Sequence, residues 1–382
     1  MNNRRKIIYF AGFLFSITLA LTSYINSSFL ETYINEYYVS AIYIISSIIT
    51  IWGFFKMPKI LTHLGNRFTT FILGICIFLS LILLATGNKI LIIIPAFILY
   101  FISTNLIIAS LDIFIEDFSK SSSIGKIRGI YLMIINSAWV VAQIISGSII
   151  TKTSFRGIYL FSALFMILFS IIFVFFLNNF KDPKYKKVPI LKTTKFFLQN
   201  KNVSAIYIIN LILKFFYAWM VIYTPIYLHE YLSFGWDKIG IIFSIMLIPF
   251  VILDFPLGKL SDKIGEKKMM LVGFLVTILS TLAIPLINEP KLIVWAGILF
   301  LTRVGAATIE VLSESYFFKI ISEENADAIN FFRNTTPLSY IIAPLFAIPI
   351  LLLVPSFEYL FFILGVILIY GFLITLKIKD VK

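Results

Sequence analysis

Twelve apolar runs, most of them near twenty residues long, leave this chain few ways to fold. In order they span about 7–29, 38–57, 68–86, 90–113, 127–150, 157–178, 203–228, 239–257, 269–287, 291–315, 327–353 and 357–376. Roughly 20 such residues, coiled as a helix, cross the hydrocarbon core of a bilayer. Lipid offers no partner to an open backbone group, so a run of this length crosses as a helix that closes its own hydrogen bonds. Scarcity of charge excludes a soluble core. Asp, Glu, Lys and Arg make up 13% of the 382 residues, where a soluble chain carries about 25%. The chain therefore reads as an all-α integral membrane protein with twelve transmembrane helices. Its first run follows Asn2-Asn3-Arg4-Arg5-Lys6, the charge layout of a secretory signal. It continues to Phe29 without a clear small-residue cleavage site, and is read as the first span.

The net charge of +13 could suggest a nucleic-acid partner. In a membrane chain it reads instead as Lys and Arg held on cytoplasmic loops. Arg4, Arg5, Lys6, Lys56, Lys59, Arg67, Lys120, Lys126, Arg128, the 181–201 and 259–268 loops, Lys319, Lys377, Lys379 and Lys382 fall on one side. Only Lys89, Lys152, Arg156, Lys238 and Lys291 fall on the other. Both termini are expected in the cytoplasm, with the chain integral to the cytoplasmic membrane. A single cysteine, Cys76, rules out an intramolecular disulfide. Two distant histidines, His63 and His229, supply no metal site, and no GxxxxGK[ST] run supplies a nucleotide site. No cofactor, no metal and no enzymatic chemistry are expected. The longest polar segment carries seven lysines between Lys181 and Lys201. It divides the chain into residues 1–178, a basic cytoplasmic linker 179–202, and residues 203–382.

The two parts match each other. Tyr24 and Glu31 correspond to Tyr223 and Glu230, Pro58–Gly65 to Gly258–Gly265, and Asn105, Asp112 and Glu116 to Arg303, Glu310 and Glu314. The offsets are 199, 200 and 198. Of these segments Gly258-Lys259-Leu260-Ser261-Asp262-Lys263-Ile264-Gly265-Glu266-Lys267-Lys268 is the most specific. It resembles the glycine–aspartate–basic–glycine–basic loop of the major facilitator superfamily, which there joins the second and third helices of each half. The resemblance covers the whole chain and implies two pseudo-symmetric six-helix halves, a parallel repeat that transports by alternating access. By that resemblance Gly258, Asp262, Lys263, Gly265 and Lys267 form a conformational latch, with Asp254 nearby. Asp262 is then expected to meet the end of the fifth helix near Arg128. In the first half Pro58, Thr62 and His63 replace the first glycine, the aspartate and the basic residue. The latch there should be weaker.

Chemistry must lie in polar groups within the apolar runs, because a charge near the bilayer centre costs about 2.5–3.5 kcal/mol on insertion scales. Lys214 and Arg303 sit near the middle of the seventh and tenth runs, which by the resemblance face a central cavity together with the first and fourth. Arg303, Glu310 and Glu314 fall on one helical face, within about 20° at 100° per residue. Asn105 and Asp112 repeat that stripe in the fourth run without the cation. Glu310, Asp112 and Glu314 are candidates for proton coupling. Pairing with loop cations is the competing reading for the deeper acids. Lys214, Arg303, Tyr217, Trp219, Asn105, Asn136, Trp139 and Gln143 are candidates for substrate contact. Packing, or hydrogen bonds between helices, is the competing role for the aromatics and amides. The expected function is secondary active transport of a small molecule, coupled to protons, with an anionic or polar substrate. A multidrug–proton antiporter and a lipid flippase on the same fold remain alternatives. The partners are then substrate, protons and lipid, not nucleic acid, and the chain is expected to be a monomer.

Overall fold

The computed structural model describes residues 2–117, 124–177, 190–253, 256–257, 260–261, 264–287, 289–320 and 331–379. Helices account for the regular structure among these residues, with no strand. In chain order they are α1 (Asn2–Ser23), α2 (Asn26–Glu31), α3 (Glu36–Thr86), α4 (Ile90–Asp117), α5 (Ile124–Thr153) and α6 (Phe155–Phe175). Next come α7 (Ile190–Gln199), α8 (Lys201–Ile226), α9 (Trp236–Ile252), α10 (Glu266–Ala283), α11 (Leu292–Ile320), α12 (Thr335–Leu353) and α13 (Tyr359–Lys377). Ten described helices are long and apolar enough to cross a membrane. One of these, α3, runs 51 residues and is two helices joined at Gly65. The 17-residue α9 is the remaining span, so the spans number twelve.

Buried hydroxyls do not interrupt these helices, because each can donate to a carbonyl one turn back. Thr18 bonds Leu14 O, Ser46 bonds Ile42 O and Thr50 bonds Ser46 O, at 2.7–2.9 Å.

The chain divides into two compact units, Met1–Lys187 and Val188–Lys382. In the first, α1 packs on α5 and α6, and α3 packs on α4 and α6. In the second, α8 packs on α12 and α13, α11 lies against α9 and α10, and α10 against α13. The neighbour pattern of one unit is thus repeated in the other, as the sequence offsets require.

Four local features depart from the sequence reading. Residues 58–64, expected in a loop, stay helical inside α3 despite Pro58, and the chain turns only at Gly65 with φ 76°. Its counterpart Gly265 has φ 95°. Both conformations suit a residue without Cβ. The first run breaks after Ser23, and α2 follows as a separate short helix. Pro225 near the end of α8 carries no N–H, and the helix passes into a π turn, Tyr227–Tyr231, closed by Leu232 N–H to Tyr227 O at 3.1 Å. Finally, the expected linker contains α7. Its Phe197 is buried against Tyr207, Phe317 and Phe331, with ring centroids 5.5, 6.4 and 4.6 Å away.

The two glycine-marked turns have acquired different chemistry. After Gly65, Arg67 donates to Phe173 O and Val174 O, both at 2.6 Å, capping the carbonyl end of α6. After Gly265, the fully buried Glu266 accepts from Lys319 at 2.5 Å and from Ser315 at 3.3 Å, both on α11.

Candidate functional site

The site lies within the second unit, where α8 meets α11. Two contacts fix these helices. Asn210 on α8 donates to Thr335 on α12 at 2.9 Å. On α11, Gly305 presses against Gly273 of α10. A Cβ built on Gly305 would stand 2.5 Å from Gly273 O, so only glycine permits this approach.

Lys214 and Tyr217 are three residues apart on α8, hence on neighbouring faces one turn apart. Both reach Glu310 of α11. Lys214 Nζ lies 2.5 Å from Glu310 Oε1, and Tyr217 Oη donates to Glu310 Oε2 at 2.9 Å. The side chains of Lys214 and Glu310 are 18% and 27% exposed, so the pair is neither sealed nor open. Lys214 Nζ also lies 5.2 Å from the centre of the Tyr217 ring. Each carboxylate oxygen therefore has its own donor, one charged and one neutral.

Arg303, two turns along α11, is not part of this ion pair. Its guanidinium stacks on Phe216 and Tyr217, with Cζ 5.0 and 5.5 Å from the ring centres. The residue is 1% exposed, and Nη1 is buried without a hydrogen-bond partner among the described residues. A guanidinium keeps its charge in a protein. Of the three charges Glu310 neutralises Lys214, leaving Arg303, on the face of Tyr217, without a counter-charge among the described residues. The sequence reading placed Lys214 and Arg303 as equivalent cations. Packing separates them, since the counter-charge is spent on Lys214.

The other sequence candidates fall elsewhere. Trp219 is fully buried between Phe215 and Tyr223 of its own helix, with Nε1 unpartnered among the described residues. Glu314 is half-buried one turn beyond Glu310. In the first unit, Gln143 is buried and donates to Ala20 O of α1 at 2.8 Å, and Trp139 meets Tyr24 edge-on at 6.3 Å. These two side chains join α5 to the α1 segment. Asn136 is half-buried. Asn105 donates to Phe101 O of its own helix at 2.9 Å, and Asp112 is half-buried. Of the latch group, Gly265 makes its turn with positive φ and Lys267 is half-buried. Gly258, Asp262, Lys263 and Asp254 lie outside the described residues, as does the side chain of Arg128. Phe216 was not among the sequence candidates. Its place one residue before Tyr217 was visible, but its contact with Arg303 depends on how α8 and α11 pack. Glu266 was likewise missed. Its signal was an acid directly after a glycine within a basic loop.

The model for the Major Facilitator Superfamily matches residues 8–240 and 225–381. Solved structures share the fold. A POT family transporter crystallised in complex with a thioalcohol-conjugated peptide superposes with a TM-score of 0.78 at 15% identity, over 97% of this chain and 95% of that one. A POT family transporter in complex with 5-aminolevulinic acid gives 0.79 at 15% identity, over the same shares. No curated protein matches the chain by sequence.

Proposed function

The chain belongs to the Major Facilitator Superfamily, whose members are secondary transporters, and from that membership we propose that it moves a small polar or anionic molecule by alternating access coupled to protons. One observation carries the proton. Glu310 is an ionisable carboxyl between membrane helices, held by Lys214 and Tyr217 through separate oxygens. Such a group is costly among lipid-crossing helices, and is a functional candidate by default. Ionised, it ties α8 to α11 by a charge-assisted bond. Protonated, it no longer attracts Lys214 as an ion, and α8 is released. Gain and loss of one proton thus changes how two helices are tied.

The same reading places both termini in the cytoplasm. It assigns Asp262 to the latch closing that side, so that Asp262→Asn slows transport while the protein still folds. Reconstituted vesicles, with and without a pH gradient, are offered a panel of organic anions, cationic dyes and labelled lipids. Uptake of an anionic or polar compound driven by the gradient is expected. Glu310→Gln should abolish gradient-driven accumulation and retain exchange of substrate across the membrane. Undiminished accumulation by this variant would falsify the assignment of the proton to Glu310. Gradient-driven efflux of dyes, or lipid movement alone, would replace the substrate class with a multidrug or lipid one.

A further inference from the structure

We infer that Tyr217 couples proton to substrate. Its hydroxyl serves ionised Glu310 in one state, and in the other the carboxylate of a monoanionic substrate docked on Arg303. The inference rests on the proposed proton role of Glu310 and adds the substrate's charge, its docking group and the order of binding.

A phenol has one proton to donate. In the structure Tyr217 gives it to Glu310 Oε2 at 2.9 Å. The same ring lies against Lys214 at 5.2 Å and Arg303 at 5.5 Å. Tyr217 is therefore in contact with all three charges. Donors bond an ionised carboxylate about twice as strongly as a neutral acceptor. Once Glu310 is protonated, a carboxylate held by Arg303 is the better acceptor and takes the hydroxyl. Arg303 can hold it, because its Nη1 is buried and unpartnered among the described residues and its guanidinium stacks on two ring faces. Proton first, anion second is the order this predicts.

Charge conservation selects a monoanion. With Glu310 ionised and no substrate, Lys214, Arg303 and Glu310 sum to one positive charge. With Glu310 protonated and one monoanion bound, the sum is again one. Empty and loaded forms then carry the same buried charge through the conformational change. Among the described residues, the other carboxylates and cations on the helices packed against α11 stand at helix ends. They are Asp237 and Lys238 on α9, Glu266, Lys267 and Lys268 on α10, and Lys201 on α8. On α11 itself, Glu314 lies one turn away and Lys319 pairs with Glu266.

The test is equilibrium binding to the purified full chain at pH 6 and pH 8. The probes are acetate, benzoate and phenylacetate, with acetamide, benzamide and phenylacetamide as neutral counterparts. The carboxylates should bind and the amides should not. Affinity should be about tenfold higher at pH 6, the smaller effect of one charge-assisted hydrogen bond. Tyr217→Phe, which keeps the ring, should lose that pH ratio. Arg303→Gln should lose carboxylate binding at both pH values, and Arg303→Lys should restore part of it. Size-exclusion profiles identify any variant that fails to fold, and the conservative Tyr217→Phe then carries the decision. Amides binding as tightly as acids, no carboxylate binding at either pH, or an intact pH ratio in Tyr217→Phe would overturn the inference. Glu310→Gln separates this from the parent reading. A pH ratio that survives in Glu310→Gln removes Glu310 as the proton site, whatever Tyr217→Phe does.

Discussion

Replacing Arg303 by methionine should make the protein more stable while disabling it. The guanidinium is 1% exposed, lacks a counter-ion among the described residues, and leaves Nη1 unpartnered. An uncompensated buried charge costs about 3–5 kcal/mol, which an apolar side chain of similar volume avoids. Against this stand the two ring contacts, with Phe216 and Tyr217, each worth about 1 kcal/mol. The difference is a net gain of about 1–3 kcal/mol. At about 2 °C per kcal/mol for a chain of this size, the melting temperature should rise by about 2–6 °C. Thermal unfolding in detergent, followed by intrinsic fluorescence, reads this directly, with Phe216→Leu as a control that removes one ring contact and keeps the charge. A melting temperature several degrees below wild type would refute the reasoning, because it would mean that the guanidinium is a net source of stability where it sits. The expected pairing of higher stability with lost carboxylate binding is the usual signature of a strained functional group.

Other outcomes follow from the packing. Gly305→Ala places a Cβ 2.5 Å from Gly273 O, forcing α10 and α11 apart at a cost of about 1–3 kcal/mol. Gly297→Ala on the same helix, where a Cβ meets nothing within 4 Å, should leave the melting temperature unchanged or raise it; equal losses from both would disprove the contact. Arg67→Ala removes two bonds to the last carbonyls of α6 and should cost about 1–2 kcal/mol, with Arg67→Lys intermediate in thermal unfolding. For topology, single cysteines placed in the 181–201 loop and near Lys238, on a Cys76→Ser background, should be labelled in whole cells only near Lys238. Labelling of the 181–201 loop from outside would reverse the assigned orientation.

The fold was legible because lipid imposes one rule on every span. Runs such as 90–113 and 357–376 needed only length and apolarity to be placed, and α4 and α13 occupy them. Interruptions were harder to read. Pro58 looks like a helix end, yet Thr62 bonds Pro58 O at 2.7 Å and the helix continues to the next glycine. Conversely, nothing in Ser23-Tyr24-Ile25 announces the break after α1. Within the site, Lys214, Tyr217, Arg303 and Glu310 were visible as charges or aromatics at helical spacing. Their partnership was not. Arg303 and Glu310 share a face of one helix, which suggested that they belong together. Glu310 instead reaches across to α8, because the glycine contact sets how α11 lies and the short approach of Lys214 outcompetes a partner two turns away. Pairing between helices is decided by rotation and separation, and a single sequence encodes those only through the small residues that allow close approach.

The glycine contact between α10 and α11 also has a mechanical consequence. Two helices that touch backbone to backbone behave as one stiff beam, since sliding either by a fraction of a turn drives a Cα into a carbonyl. Arg303 and Glu310 ride on that beam. Lys214 and Tyr217 ride on α8, which ends in a proline and a π turn and so has a compliant joint at one end. In the proposed cycle, opening of the Lys214–Glu310 tie would let the compliant member swing while the beam stays. The proposed proton acceptor and docking cation would keep their mutual spacing throughout, and the tyrosine would be the part that travels.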